Sequence, residues 1–300
     1  MNDTTTVRSL AAAALGSAVT DLRRVAGGDL NDAYAACLAD GRVVFIKTSA
    51  DAAPGSYAAE AAGLRWIASA VGAPAVPEVL GVVDPPGRDR RPRMLALSWI
   101  DPGRLSSAGA EALGRGLAAL HRAGAAGYCV APPGAPAGLR IGPLELPAGS
   151  AATWAEAYGT FRLRPLAHRA ASSGALTPDG LAAVERVCER LPELAGPAEP
   201  PARLHGDLWG GNVLANTDGI PYLIDPAAYG GHREIDLAML RLFGGPGERC
   251  FSAYAEAFPL ADGHEERVEL WQLFPLLVHT ILFGAGYGAR AAAIAHRYAG

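Results

Sequence analysis

Short runs of β-forming residues dominate the first hundred residues. Strands are predicted at 21–25, 33–38, 42–48, 79–83 and 94–98. Asp40 and Gly41 form a turn signal between the second and third runs. Residues 56–70 change to helical spacing, with Leu64 and Ile67 on one apolar face, and residues 7–19 also have a helical pattern. After a first helix, the pattern therefore predicts a small sheet with one helix.

The pattern beyond residue 104 is mainly helical. Leu113, Leu117 and Leu120 line one face of a helix that ends near His121, with Ser107 as its N-cap. Further helices are predicted at 154–166, 178–191, 234–243, 247–258 and 265–283. Residues 129–150 are rich in proline and glycine and have no period, which predicts a long loop. We predict an α+β chain of two lobes, a β-rich lobe at 1–100 and a mainly helical lobe at 101–300.

Composition excludes several classes of protein. Half of the 300 residues are apolar and the net charge is −4, so the chain can build a large core and has no basic surface for nucleic acid. The four cysteines form no CxxC pair, which argues against a disulfide framework or a zinc site and favours a reducing cytoplasm. No basic segment precedes the apolar run at 10–15, and the run at 273–283 is too short to span a membrane. We expect no signal peptide and no membrane partner, and a monomer is favoured.

The stretch at 204–235 carries the strongest chemical signal. Two apolar runs, at 213–215 and 222–224, flank a turn with Asp218-Gly219, which predicts a β-hairpin. Asp207 and Asn212 precede the first run and Asp225 follows the second, so the closed hairpin brings three oxygen-bearing side chains to one end. Hard cations such as Mg²⁺ prefer oxygen ligands. Kinase-type phosphoryl transfer needs an Asp near the substrate hydroxyl, and an Asn and an Asp on the metal.

Each of these residues has a simpler structural explanation when it is considered alone. Asp207 can cap a turn, Asn212 can cap a loop, and Asp225 can end a strand before Pro226. Their joint spacing favours Asp207 as the catalytic residue, with Asn212 and Asp225 as metal ligands. Trp209 can pack in the core or stack on substrate.

Upstream residues complete this interpretation. Lys47 ends an apolar strand and needs a partner, and Glu60 on the following helix is the candidate, as in kinases, where such a pair positions phosphates. Gly27, Gly28 and Asn31 lie in a glycine-rich turn whose backbone can approach phosphates, although a plain hairpin turn is an equal alternative. His232 and Arg233 can line the cleft and contact substrate, or fix the segment after Asp225.

The quoted residues resemble the fructosamine kinase (ketosamine 3-kinase) family, which has the aminoglycoside phosphotransferase and protein-kinase-like fold. The resemblance is carried by HGDLWGGN at 205–212, IDPA at 224–227, GHRE at 231–234 and DLAM at 236–239, and it covers about residues 7 to 285. It implies a two-lobed kinase that uses ATP and Mg²⁺ to phosphorylate a ketosamine hydroxyl at O3, which is a deglycation activity. It also implies that Ser98, Trp99 and Ile100 belong to the adenine-binding hinge.

The segment at 129–153 departs from the family pattern and is expected to border the acceptor site. Ribulosamines and erythrulosamines are therefore acceptors as plausible as fructosamines. The alternative is a kinase of the same fold that acts on an aminoglycoside, a choline-like compound or another metabolite. A pseudokinase used for binding is disfavoured, because it would not need Lys47, Asp207, Asn212 and Asp225 together.

Overall fold

The protein folds into two lobes, as the apolar pattern predicts. The computed structural model describes residues 4–25, 31–49, 51–85, 87, 92–136 and 138–300. The N-terminal lobe contains the elements α1 (Thr4–Leu15), β1 (Val19–Arg24), β2 (Asp32–Leu38), β3 (Val43–Ser49), α2 (Ser56–Ala68), β4 (Val79–Val83) and β5 (Arg93–Ser98). Its five strands form one antiparallel sheet in the order β1-β2-β3-β5-β4.

Successive side chains along each strand point to opposite faces of the sheet, and each face packs against its own apolar cluster. Val44 and Ile46 on β3 belong to the buried cluster that contains α1. Phe45 lies on the other face and packs with the cluster that contains α2. Because side chains two residues apart in a strand share a face, Lys47 is on the α2 side as well. In addition to the predicted helix α2, α1 therefore covers the opposite face of the sheet.

The C-terminal lobe is mainly helical. Its elements are β6 (Pro102–Gly103), α3 (Ser107–Arg122), β7 (Leu139–Ile141), β8 (Leu144–Leu146), α4 (Trp154–Tyr158), α5 (Arg164–Ser172), α6 (Pro178–Leu194), β9 (Ala202–Leu204), β10 (Val213–Asn216), β11 (Pro221–Leu223), β12 (Tyr229–Gly231), α7 (Glu234–Leu242), α8 (Glu248–Ala257), α9 (His264–Phe283) and α10 (Ala285–Ala299). A π-helical turn at Gly159–Leu163 joins α4 to α5. The main core lies between α4, α5, α6, α9 and α10.

Helix caps follow local sequence closely. The side chain of Thr177 accepts a hydrogen bond from the backbone N–H of Gly180 at 3.1 Å, and Pro178 occupies the first turn of α6. For α3 the prediction is wrong by one residue. Ser106, not Ser107, is the N-cap, and its hydroxyl accepts from the N–H of Gly109 at 3.0 Å.

Two further differences concern the C-terminal lobe. The segment predicted as a loop at 129–150 contains the antiparallel hairpin β7–β8, in which Ile141 pairs with Leu144. Helix α10 follows α9 and packs on α6, whereas the prediction ended at residue 283. Within the described ranges, no helix combines the length and apolar character needed to cross a membrane. The boundary at residue 100 stays a prediction, since β6 just beyond it pairs with β10.

Candidate active site

The hairpin predicted from the sequence is formed by β10 and β11. Val213 pairs with Leu223, and Gly219 closes the turn with a φ of 77°. At the open end, the N–H of Ile224 donates to the carbonyl of Asn212 at 3.1 Å. This pairing holds Asn212 beside the start of the segment that carries Asp225, so the antiparallel register produces the expected convergence of oxygen-bearing side chains.

Asp207 lies directly in front of this open end. The side-chain nitrogen Nδ2 of Asn212 donates to the backbone carbonyl of Asp207 at 2.8 Å and to its carboxylate Oδ2 at 3.3 Å. Burial, together with the carboxylate of Asp225, raises the pKa of Asp207 to about 7. A carboxyl group with a pKa near neutrality can both accept and release a proton at physiological pH.

Lys47 connects the two lobes at the site. Its ammonium Nζ donates to Glu60 on α2 at 2.9 Å and to Asp225 at 3.0 Å. Burial acts to lower the pKa of Lys47, but Glu60 and Asp225 outweigh burial and raise it, so the ammonium stays charged. The pairing of Lys47 with Glu60 has the geometry expected from the sequence, and the contact with Asp225 adds a direct interlobe ion pair.

The side chain of Asp236 fixes the loop that carries Asp207 by accepting hydrogen bonds from its backbone. The carboxylate of Asp236 accepts from the backbone N–H of His205 at 2.7 Å and from that of Gly206 at 2.9 Å. The ring of His121 approaches the same carboxylate at 3.3 Å. Gly206 has a φ of 81°, and a Cβ there would lie 2.1 Å from the carbonyl oxygen of Ala227. Only glycine fits this close approach.

The ring of His205 also supports the loop that carries Asp207 through hydrogen bonds. Its Nε2 lies 2.9 Å from the carbonyl of Ile224, and its Nδ1 accepts from the N–H of Asp207 at 3.3 Å. These two bonds require the neutral tautomer with the proton on Nε2. Burial lowers the pKa of His205, which favours this neutral form. His205 therefore supports the loop by hydrogen bonds.

A cavity of about 1250 Å³ between the lobes brings most of the predicted residues together. Its walls include Asn31, Lys47, Glu60, Ser98, Trp99, Ile100, Asp207, Trp209, Asn212 and Asp225. Gly27 and Gly28 lie outside the described residues. Asn31 is held by Tyr57, whose hydroxyl donates to the side-chain oxygen of Asn31 at 2.9 Å. The size and lining of the cavity suit a nucleotide together with a second substrate.

The donor chemistry at Asn212 and Asp225 suits a Mg²⁺ ion. Asn212 directs its nitrogen at Asp207, which leaves its oxygen for a cation. In the part of the chain that the structure describes, no group of three or more His, Cys, Asp or Glu side chains could hold a metal ion. Mg²⁺ that is shared with substrate phosphates needs only one or two carboxylates from the protein. Asn212 and Asp225 therefore fit a metal bound together with nucleotide rather than a metal bound by protein alone.

His232 and Arg233, which the sequence predicts either to contact substrate or to fix the segment after Asp225, are both buried. Arg233 is 4% exposed, and its guanidinium pairs with Glu199 at 2.6 Å and stacks 3.8 Å above the ring of Phe258. His232 is also buried, and its ring centroid lies 6.3 Å from that of Trp154 and 5.5 Å from that of Trp271. Both side chains point into the core of the lobe, so the alternative interpretation, that they fix the segment after Asp225, is the one that the contacts favour.

An aromatic cluster at one end of the cavity was missed by the sequence interpretation. Phe243, His279, Phe283 and Tyr287 all line the cavity, and five of their six ring pairs have centroids 4.6 to 6.4 Å apart. Phe283 is 60% exposed and Trp209 is 39% exposed, which is unusual for such large apolar side chains. The spacing of His279 and Phe283 by four residues on α9 was the only local signal, and it does not extend to Phe243 on α7 or to Tyr287 on α10. For this segment we predicted only a helix at 265–283.

Comparison with known proteins agrees with this geometry. A family model described as "Fructosamine kinase" matches residues 3–299. A Thermus thermophilus protein named "Probable ketoamine kinase" is 36% identical over 87% of both chains. The chloroplastic protein-ribulosamine 3-kinase of Oryza sativa subsp. indica is 32% identical over 93% of this chain and 79% of its own.

Solved structures give the same result. A Thermobifida fusca protein, whose name places it with the fructosamine-3-kinases, is 42% identical and superimposes with a TM-score of 0.88 over 99% of both chains. An aminoglycoside phosphotransferase, APH(4)-Ia, is 18% identical with a TM-score of 0.65 over 98% of both chains, and this match shows the fold alone. The chain therefore belongs to the fructosamine kinase family, whose members are ATP-dependent phosphotransferases with a protein-kinase-like fold.

Proposed function

We propose that the protein uses ATP to phosphorylate O3 of a ketosamine, the adduct formed when a sugar glycates an amine. This activity would start deglycation, because the phosphate ester is expected to release the amine. The observation that carries the proposal is the convergence of Asp207, Asn212, Asp225 and Lys47 on one cavity that also has an exposed Trp209. Fructosamines, ribulosamines and erythrulosamines are all candidate acceptors.

Asp207 is the residue that activates the acceptor in this proposal. A sugar hydroxyl is a weak nucleophile until a carboxylate orients it and accepts its proton. The donors from Asn212 hold the Asp207 carboxylate in place. Because the pKa of Asp207 is about 7, this carboxylate is basic enough to take the proton as the phosphoryl group is transferred.

Lys47, Asn212 and Asp225 would handle the nucleotide. A Mg²⁺ ion would neutralise charge on the phosphates, and the oxygens of Asn212 and Asp225 would hold it. Lys47, kept charged and oriented by Glu60, has an ammonium with three N–H donors, of which two are used within the protein. The third can bind a phosphate oxygen. Asn31 and the hinge residues Ser98, Trp99 and Ile100 would contact the rest of the nucleotide.

The aromatic end of the cavity supports a cationic acceptor. The secondary amine of a ketosamine is protonated near neutral pH, and aromatic faces attract such ammonium groups by about 0.5–2 kcal/mol. Trp209 and the cluster of Phe243, His279, Phe283 and Tyr287 offer such faces. Burial lowers the pKa of His279, so this ring stays neutral and does not repel the cation. The names of the relatives, a ketoamine kinase and a ribulosamine 3-kinase, support the same class of acceptor.

The cysteines support a reducing compartment such as the cytoplasm. All four are free in the structure, and Cys129, Cys188 and Cys250 are buried. Proteins of oxidising compartments commonly use cysteines in disulfides.

The experiment is a substrate panel with Mg-ATP, in which ADP release is followed by a coupled assay. The panel contains a fructosamine, a ribulosamine, an erythrulosamine, an aminoglycoside and choline. We expect turnover with at least one ketosamine and phosphorylation at O3, which phosphorus-coupled NMR of the product identifies. Turnover confined to the aminoglycoside or choline would contradict the acceptor class. Asp207→Asn should lose activity, whereas Asp262→Asn at an exposed position is the matched control.

A further inference from the structure

Strand β7 and the turn that follows it in the hairpin β7–β8 line the active-site cavity. Its four apolar side chains, Leu139, Ile141, Leu144 and Leu146, are each at most 4% exposed and belong to the main core of the C-terminal lobe. Alternation along the two strands places Arg140 and Glu145, which are cross-strand partners, on the opposite face. The position of Arg140 is thus fixed by packing, although this segment is rich in proline and glycine.

Arg140 is the cationic residue of a segment that lines the cavity holding Asp207. Residues 138 to 143 line this cavity, and Arg140 is among them. Within the described residues, its guanidinium has no hydrogen bond, and its nearest carboxylate is Glu145 at 3.7 Å. That distance is too long for a hydrogen bond, and the side chain of Glu145 is 65% exposed. By contrast, Lys47, the other cationic residue among the described residues that line this cavity, is bonded to two carboxylates.

The place of the hairpin in the fold indicates which substrate Arg140 would meet. The proposed phosphate-binding lysine comes from β3 in the N-terminal lobe. The buried face of the hairpin packs in the same core as the α9 residues Leu273 and Leu277. The end of α9 carries His279 and Phe283 of the aromatic cluster. Arg140 therefore comes from the C-terminal lobe, which also carries Asp207 and the aromatic cluster, and its strand β7 reaches α2 of the N-terminal lobe.

We propose that Arg140 binds an anionic group of the acceptor and makes the enzyme selective for anionic ketosamines. This inference rests on the proposed function, since it names the subclass of ketosamine for the same cavity. A planar guanidinium binds carboxylate or phosphate through two parallel N–H bonds. The anionic group is the α-carboxylate of a ketosyl amino acid or a phosphate on the sugar. A ketosamine on a lysine side chain within a protein has no free α-carboxylate, so recognition of a carboxylate would favour small, free substrates, whereas a sugar phosphate can also be present on a protein-bound ketosamine.

The experiment compares three ketosamines that differ only in the anionic group. They are fructosyl-glycine, with a free carboxylate, the neutral fructosyl-glycinamide, and the 6-phosphate of the glycinamide adduct. We expect kcat/KM of the wild-type protein to be about 10- to 100-fold higher for one or both anionic compounds than for the neutral one, the range typical of a charge-assisted hydrogen bond. Which of the two is preferred identifies carboxylate or phosphate as the recognised group.

Variants assign this preference to Arg140. Arg140→Gln should reduce the anionic-to-neutral ratio to within about twofold and raise KM for the anionic acceptor more than KM for ATP. Arg140→Lys should retain part of the ratio, because the charge remains and the fork geometry is lost. Glu145→Gln is the matched control on the opposite strand, and it should keep the full preference because it leaves the guanidinium in place.

Three results would overturn the inference. The first is equal kcat/KM for all three compounds in the wild-type protein, which leaves the proposed function intact. The second is a preference that Arg140→Gln does not change. The third is a rise in KM for ATP alone in Arg140→Gln, which would assign Arg140 to the nucleotide. Absence of turnover with every ketosamine would instead contradict the proposed function itself.

Discussion

Replacement of Asp207 by Asn should abolish activity and at the same time stabilise the protein at alkaline pH. Burial of Asp207 and the nearby carboxylate of Asp225 both raise the pKa of Asp207, to about 7. An aspartate in an unfolded chain has a pKa of about 3.9. Between these two values the folded protein holds a proton at Asp207 that the unfolded protein has lost. The free energy of unfolding therefore falls as the pH rises from about 4 to 7.

The magnitude follows from the linkage between proton binding and stability. A difference of one bound proton changes the free energy of unfolding by about 1.4 kcal/mol per pH unit. Over the two pH units from 5 to 7, this amounts to about 3 kcal/mol as an upper limit. Because Asp207 is partly open to the cavity, water screens the charge, and we expect about 1–3 kcal/mol. The amide that replaces the carboxyl group in Asp207→Asn has no such dependence and can still accept the hydrogen bond from Asn212.

The assay is urea unfolding at pH 5, 6, 7 and 8, without nucleotide or metal, for the wild-type protein and Asp207→Asn. The quantity of interest is the difference between their free energies of unfolding, since all other titrating groups are shared. We expect this difference to increase in favour of Asp207→Asn by about 1–3 kcal/mol from pH 5 to pH 8. Asp262→Asn, at an exposed position, should give a constant difference. If the difference in unfolding free energy between Asp207→Asn and the wild-type protein stays constant from pH 5 to pH 8, the claim that its surroundings raise the pKa of Asp207 is refuted.

Three further changes test the rest of the site. Lys47→Met leaves two carboxylates facing each other without their cation, and it should raise KM for ATP and cost about 3–5 kcal/mol of unfolding free energy in thermal or urea denaturation. Gly206→Ala places a Cβ 2.1 Å from the carbonyl of Ala227, so kcat should fall at least about tenfold through a shifted loop, measured under saturating substrates. Phe283→Ala removes a side chain that is 60% exposed, and it should raise KM for the acceptor about two- to tenfold while the melting temperature stays constant; an altered KM for ATP would contradict the acceptor assignment.

Local sequence signals predicted the parts of the site that lie on regular elements. The Asp-Gly turn and two short apolar runs were sufficient to predict the hairpin β10–β11. Its antiparallel register then requires Asn212 and Asp225 to lie close together. The pairing of Lys47 with Glu60 was predictable because one strand and the following helix carry both residues, 13 positions apart. In each case the chain folds back over a short distance, so few alternatives compete.

The features that were missed depend on packing between distant segments. His232 and Arg233 follow Asp225 closely in sequence, but Glu199, on the loop before β9, draws the guanidinium of Arg233 into the core. The hairpin β7–β8 was not predicted because the segment around its strands is rich in proline and glycine. Its strands contain three residues each and gain stability only from the core beneath them. The aromatic cluster joins residues from the ends of α7, α9 and α10, an arrangement that no local pattern defines.

Asp225 is the point at which the two lobes and the chemistry meet. It has a φ of 53°, a left-handed conformation that is uncommon for residues other than glycine and that concentrates at functional sites. This backbone directs the carboxylate both at Lys47, 178 positions away in the sequence, and at the neighbourhood of Asp207, whose pKa it raises. A cation bound to Asp225 would weaken both effects together, because it would compete with Lys47 for the carboxylate and would reduce the repulsion on Asp207. The same ion that positions the phosphates would thus free an N–H donor of Lys47 to bind a phosphate oxygen. It would also favour the ionised form of Asp207.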